Sequence, residues 1–296
     1  MRGPSPDLRR ELTWLRRRFD RAAPGFDAAA VLHQEVRDIL LERLGFTALD
    51  PRVVLDAGAG TGHASRALKA RYPRARVIAL DASLGMLQVA GRQLTWLRRF
   101  DRVCADAHRL PFADASVDLI VSNLMLPWCD PDVVFAECRR VLAPRGLLSF
   151  TSFGPDTLRE LRGAVRSLDA NLPAGRFIDM HDLGDALVRA GFAAPVLDVD
   201  TYTLTYSDMG ALMTDLKAIG AQNALFGWPR MNGAHAASVV RAAYESHRRD
   251  GRLPATCEVV FGQAWSPTAS AARPGRTGES TVPLEDITRS LPSRSS

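Results

Sequence analysis

Cysteine is scarce in this chain of 296 residues. Cys104, Cys129, Cys138 and Cys257 form no CxxC pair and no zinc-like cluster with any of the six histidines, so neither a disulfide framework nor a structural zinc site is expected. The spacing instead predicts reduced thiols in buried or half-buried positions. Long apolar runs are missing too. The best one, Val117 to Trp128, is interrupted by Asp118, Ser122, Asn123 and Pro127 and falls short of the roughly 18 apolar residues a membrane helix needs. A cytoplasmic protein without a membrane partner is the expectation. There is no HExxH motif, GxSxG elbow or Walker loop, which removes the usual basis for metal, serine and nucleotide hydrolysis, and no metal is expected. Nor is there a large excess of charge of one sign: 38 basic against 33 acidic residues leave +5, a mixed surface that argues against a nucleic-acid partner.

The N-terminus is dense in arginine, and Leu8, Leu12, Leu15 and Phe19 recur at helical spacing. An organellar transit peptide would be poor in acids, yet Asp7, Glu11 and Asp20 sit inside the stretch, so it reads as a mature amphipathic helix. We expect residues 1–46 to be an N-terminal helical segment. Beyond Arg52, short β-rich runs alternate with helical stretches. Val53 to Asp56, Val77 to Asp81, Val103 to Asp106, Val117 to Ser122 and Leu147 to Thr151 read as strands, an alternation that predicts an α/β fold with a mostly parallel sheet covered by helices on both faces. Further along, Pro155 to Leu168, His181 to Ala190 and Ser207 to Ile219 read as helices, the last from a Ser207 cap. Val196 to Thr205 and Ala255 to Trp265 read as strands. The domain expectation is one unit over 47–265 with small lid elements around 155–181 and 206–233, followed by a tail, 266–296, too polar to order itself.

Ligands in such sheets bind beyond the carboxyl ends of the strands, where Asp56, Asp81, Asp106 and Asn123 fall. The strongest motif runs from Val53 through Asp56, Gly58, Gly60 and Gly62: a buried strand, a glycine turn, then a helix whose free N–H groups face a ligand. His63 stands where a dehydrogenase would place its third glycine. Asp81-Ala82 follows about twenty residues later, a position where a carboxylate accepts ribose hydroxyls. A helix cap ahead of Ser83 is the alternative for Asp81 alone. Asp106-Ala107 suits an adenine amino group, with an N-cap for the next turn as its rival.

The series D-A-G-A-G-T-G from Asp56, the acidic strand end at Asp81, Asp106-Ala107 and Leu110-Pro111-Phe112 before Val117-Asp118-Leu119 resembles the class I S-adenosylmethionine methyltransferases. That resemblance implies a Rossmann-like sheet of seven strands. It also implies S-adenosylmethionine as cofactor, held by Asp56, Gly58, Gly60, Gly62, Asp81, Ala82, Asp106, Ala107, Asn123 and Gln34. Phe19-Asp20-Arg21-Ala22-Ala23 with Phe26-Asp27 and Gln34, Ser122-Asn123-Leu124 with Trp128, and Asp215 through Asn223 resemble more narrowly the malonyl-acyl-carrier-protein O-methyltransferase family of biotin synthesis. Phe26 departs from the tyrosine often found there. The narrower resemblance implies methylation of the free carboxylate of a malonyl group on acyl carrier protein by a monomeric enzyme. Trp128, Lys217 and Asn223 are its substrate-side candidates, and no side chain is assigned as acid or base. Arg159, Arg162 and Arg176 are further candidates for orienting the carboxylate. Rival readings are the related complex I assembly family, implying arginine hydroxylation, a methyltransferase for another small carboxylate, and a cofactor-binding protein without catalysis.

Overall fold

The computed structural model describes residues 6–92, 94, 99–168, 177–221 and 234–268. The N-terminal part forms α1 (Pro6–Ala22), a single turn α2 (Phe26–Ala29) and α3 (Val31–Arg43). Then come β1 (Val53–Ala57), α4 (His63–Arg71), β2 (Arg76–Asp81), α5 (Leu84–Arg92), β3 (Asp101–Cys104), β4 (Val117–Ser122), α6 (Pro131–Val141) and β5 (Leu142–Phe153). The remainder is α7 (Arg159–Arg166), α8 (Met180–Arg189), β6 (Ala193–Tyr206), α9 (Met209–Ala218), α10 (Ala234–Glu245) and β7 (Leu253–Trp265).

The seven strands make one sheet in the order β3-β2-β1-β4-β5-β7-β6. The first five pair in parallel, and β7 is antiparallel to both β5 and β6. Period-two alternation sends neighbouring residues of the central strands to opposite faces, and both faces are covered. Val54, Val77 and Leu119 join one buried cluster, whereas Leu55, Ile78 and Ile120 join the other. Leu32, Val36 and Leu40, four apart on α3, and Leu44 just past its end pack into the first cluster, so the N-terminal helices share the core of the sheet. Val134, Phe135 and Cys138 of α6 and Leu183 and Leu187 of α8 cover the second. A third cluster binds α7, α9 and α10 to the far ends of β6 and β7 through Leu161, Leu212, Leu216, Val240 and Tyr244. Each such side chain contributes roughly 1.5–3 kcal/mol by leaving water.

Several boundaries differ from the expectation. β3 pairs Asp101 with Ile78 and Cys104 with Asp81, so it ends two residues early and leaves Asp106 in a turn. The helix expected from Pro155 starts only at Arg159, because Gly154 to Leu158 turn first and Leu158 sits at φ 55°. The cap of α9 is Asp208, whose carboxylate accepts from the Ala211 N–H, and not Ser207. Strands β6 and β7 run longer at both expected starts, since each is the other's partner from Ala193 to Tyr206. Cys104 is exposed, against the expected burial, because it lies on edge strand β3. The expected polar tail beyond 268 lies outside the described residues.

Candidate functional site

At the end of β1 the chain must turn sharply to enter α4, and three glycines make the turn. Gly58, Gly60 and Gly62 sit at φ 75°, 52° and 82°, values that cost an L side chain energy. At Gly58 a Cβ would also stand 2.7 Å from the Met125 side chain. The Gly58 and Ala59 N–H groups donate to the Leu80 carbonyl at 2.8 and 2.9 Å, pinning the loop against β2. Asp81 completes the cradle: one carboxylate oxygen accepts from the Gly60 N–H at 2.8 Å and the other from the Ser83 N–H at 2.8 Å. Burial raises its carboxyl above the ordinary range. The helix-cap alternative also holds in part, but Ser83 does the capping, accepting from the Met86 N–H.

Asp56 behaves differently from its neighbours. It is 1% exposed and accepts a hydrogen bond from the Ser65 hydroxyl of α4, so it braces the loop from beneath. Burial pushes its carboxyl up to about 7. Asp106 holds the His108 N–H and ring nitrogen on one oxygen and Arg16 on the other, at 3.0, 2.7 and 2.7 Å. Burial opposes ionisation there, but the His108 hydrogen bonds, aided by Arg16, keep the carboxyl at about 2. The N-cap alternative for Asp106 holds as well, because its carboxylate accepts from the His108 N–H and its carbonyl from the Arg109 N–H, capping the turn that follows.

These elements surround a cavity of about 840 Å3 beyond the carboxyl ends of β1, β2 and β4. Gly58, Gly60, Asp81, Ala82, Asp106, Ala107, Asn123 and Trp128, all named from the sequence, line it together. Its outer wall is α1, which places Leu15, Arg16 and Phe19 there. Phe19 meets Trp128 edge to face at 5.2 Å, and Asp20 accepts from the Ser83 hydroxyl and the Gly85 N–H at 2.6 and 2.8 Å. These two contacts clasp α1 to the sheet side of the cavity. Asn123 ties the floor to α3, donating to the His33 carbonyl at 3.0 Å and accepting from the Thr151 hydroxyl at 2.9 Å.

A side chamber of about 470 Å3 shares Phe26, His33, Gly58, Gly60 and Asn123 with the main cavity. Asp27, Gln34, Arg37, Asp56, Thr61 and His63 complete it. Asp27 accepts from the Thr61 hydroxyl at 2.5 Å and pairs with the His63 ring at 3.0 Å, while Gln34 donates to the Asp27 carbonyl at 2.8 Å. Gly62 borders neither space; it serves as the N-cap of α4, where a Cβ would meet Ala90 at 2.8 Å.

Lys217 does not reach the site. Leu212 and Leu216 face the core, so the next position on α9 turns outward and Lys217 is exposed, bordering neither space. Asn223 and Arg176 lie outside the described residues, as do 169–176 and 222–233 of the lid elements expected around 155–181 and 206–233. Arg159 pairs with Asp156 at 3.1 Å, and Arg162 donates to Thr157 O while its guanidinium covers the Phe177 ring, so neither enters the cavity. Sequence reasoning missed Arg16, His33 and Arg37 as lining residues. Arg37 carried a signal only in hindsight, one helical turn beyond Gln34 on the same face of α3. Among the described residues no cluster of His, Cys, Asp or Glu could hold a metal ion.

A family model described as a methyltransferase domain matches residues 55–150. The chain is 56% identical over 268 residues to the malonyl-[acyl-carrier protein] O-methyltransferase of a Methylovorus species, covering 88% of this chain and 90% of that protein. It is 51% identical over 272 residues to the protein of the same name from Laribacter hongkongensis, covering 88% and 91%. Among solved structures it resembles phosphoethanolamine N-methyltransferase 2 of Haemonchus contortus in complex with S-adenosyl-L-methionine, with a TM-score of 0.53 and 18% identity, covering 84% of this chain and 57% of that one. At that identity the likeness speaks for the fold alone.

Proposed function

The chain belongs to the malonyl-[acyl-carrier protein] O-methyltransferase family, and we propose that it transfers a methyl group from S-adenosylmethionine to the free carboxylate of a malonyl thioester on acyl carrier protein, within biotin precursor synthesis. It is an S-adenosylmethionine-dependent O-methyltransferase. The observation that carries this reading is the 56% identity across nearly the whole of both chains. The relatives of that name do not favour the assembly-factor alternative.

The cavity fits the cofactor on its own chemistry. Asp81, with two lone-pair-bearing oxygens at the end of β2, would accept the ribose hydroxyls. Ala82, Ala107 and the Met86 and Trp128 side chains offer an apolar slot for a flat base, with Asp106 at its edge. The side chamber combines one cation, Arg37, with the Asp27 carboxylate, a charge set that suits the zwitterionic end of an amino acid. Gln34 and Asn123 add amide groups to it, while Gly58, Gly60 and Gly62 let the backbone approach closely.

When bound, S-adenosylmethionine supplies an electrophilic methyl group on a positively charged sulfur. The protein needs no general base, because a carboxyl group with a pKa near about 4 is already ionised at neutral pH. The thiol that lines the cavity is unsuited to rival the substrate, since burial raises Cys129 far above the ordinary range, as it pushes Cys138 up to about 12. What remains is alignment of the carboxylate, worth roughly 7–11 kcal/mol when reacting atoms are held in line. The reading includes a monomer in the cytoplasm without a nucleic-acid or membrane partner. Among the described residues no helix is long and apolar enough to cross a membrane.

The test is a methyl-transfer assay with purified protein. Malonyl thioesters on acyl carrier protein should gain a methyl ester, acetyl thioesters should not react, and succinyl thioesters should react poorly, since one extra methylene displaces the carboxylate by more than the roughly 1 Å that alignment tolerates. A protein that binds the cofactor yet modifies only a protein arginine would overturn the reading.

A further inference from the structure

A third space of about 870 Å3 adjoins the cofactor cavity on the side of β6 and α9. Its walls are largely apolar, with Leu32, Phe153, Leu204, Leu212, Leu216 and Cys257. A few neutral or acceptor groups interrupt them: the Thr157 and Thr205 hydroxyls, and Asp215, which takes a hydrogen bond from the Tyr206 hydroxyl. Among the described residues the lining contains no lysine or arginine. Such a chamber does not suit a free anion, and it does suit a neutral chain bearing amide N–H groups.

One residue belongs to all three spaces. His33, at the start of α3, borders the cofactor cavity, the side chamber and this apolar chamber. Its ring is held edge to face by Phe26 at 5.4 Å and by Phe153 at 6.2 Å, and its backbone carbonyl is anchored by Asn123. Burial pushes the imidazole down to about 4, so it is neutral at pH 7 and carries one N–H donor. Among the described residues neither ring nitrogen has a hydrogen-bond partner. A half-buried donor without a protein partner among the described residues, standing where three cavities meet, is open to a ligand.

We propose that the apolar chamber takes the pantetheine arm of the substrate and that the His33 N–H hydrogen-bonds the acyl carboxylate where the chamber opens onto the cofactor cavity. The proposal rests on the methyltransferase reading above. A neutral donor has an advantage over arginine in this place. It fixes one carboxylate oxygen and leaves the negative charge, and so the nucleophilicity of the other oxygen, largely intact. No proton changes hands, and His33 stays neutral throughout.

The experiment compares the full-length wild type with His33→Phe, His33→Gln and Ala29→Phe. Phenylalanine keeps the ring and its aromatic neighbours but deletes the donor, glutamine restores an N–H, and Ala29, half-buried on the chamber wall, admits a bulky group. With malonyl-acyl-carrier-protein, His33→Phe should lower kcat/KM about 10- to 100-fold, the worth of one hydrogen bond to a charged group. Calorimetric affinity for S-adenosylhomocysteine should stay within about twofold on the same scale. His33→Gln should recover part of the loss, and Ala29→Phe should raise KM while leaving that affinity unchanged. Independently of turnover, the His33 ring 15N resonances of the wild type should shift when malonyl-acyl-carrier-protein is added with S-adenosylhomocysteine present, a mixture that cannot react. Unmoved resonances, or an unchanged kcat/KM in His33→Phe, overturn the role of His33; an unchanged KM in Ala29→Phe overturns the chamber. If His33→Phe loses S-adenosylhomocysteine binding as well, the wild-type resonances decide. A wild type that binds S-adenosylhomocysteine but never methylates malonyl thioesters overturns the functional reading instead.

Discussion

Two aspartates at the ends of adjacent strands do different work. Asp81 faces the cavity and holds the Gly60 and Ser83 N–H groups, whereas Asp56 is turned beneath the loop onto Ser65. Asp81→Ala removes the only carboxylate at the end of β2 and should weaken S-adenosylmethionine binding by about 1.5–3 kcal/mol in calorimetry, with the unfolding midpoint little changed. For Asp56 the consequence is pH-dependent stability. The folded protein keeps its proton up to about pH 7, whereas the unfolded chain releases it near 3.8. Between those values the folded state binds more protons, so stability falls as pH rises through the window, by at most roughly 4 kcal/mol. Asp56→Asn keeps an oxygen for Ser65 and should flatten that slope. Denaturant unfolding at pH 5 and pH 8 checks it: a wild type with the same slope as the variant would show that Asp56 is not the buried acid. Both aspartates were legible in the sequence as strand-end carboxylates, but their division of labour was not, because it depends on which side of the loop each side chain takes.

At the scale of elements, the helix that closes the cavity comes from the far N-terminus. Helix α1 is held by Asp20 on the start of α5 and by Phe19 against Trp128. An aspartate accepting two donors at a helix start adds typically about 1 kcal/mol. Asp20→Ala should therefore lower stability by roughly that amount and loosen α1, which would appear as faster amide exchange over the first turns of α5 and as weaker cofactor binding. Exchange unchanged in α5 would mean that the clasp contributes nothing. The sequence marked α1 as amphipathic, and its family resemblance singled out the Phe19–Asp20 pair. Neither signal gave the partner, since Ser83 and Gly85 lie more than sixty residues away.

For the molecule as a whole, the arrangement of charge bears on how a protein-bound substrate arrives. Arg17 and Arg21 are exposed on α1, the helix that walls the cavity, while Arg16 is tied to Asp106. If these cations steer an acidic carrier protein, kcat/KM for malonyl-acyl-carrier-protein should fall severalfold between low salt and about 0.15 M ionic strength, and that for malonyl-CoA much less. Stopped-flow or steady-state rates across a salt series decide it, with equal slopes ruling the steering out. The sequence by itself determined a mostly parallel sheet covered by helices and the glycine cradle, because these follow from strand–helix alternation and backbone angles that only glycine tolerates, all local to a few residues, whereas the order of strands and the antiparallel β7 came from the tertiary structure. It also brought Asp81, Asp106 and Asn123 to one edge, since strand ends in such a sheet converge. Tertiary structure alone decided that α1 and α3 close the site, that Asp56 points inward, that Lys217 points outward and that His33 stands where three cavities meet. Those outcomes depend on contacts between residues far apart in the chain, and no local periodicity encodes which distant surface a helix will cover.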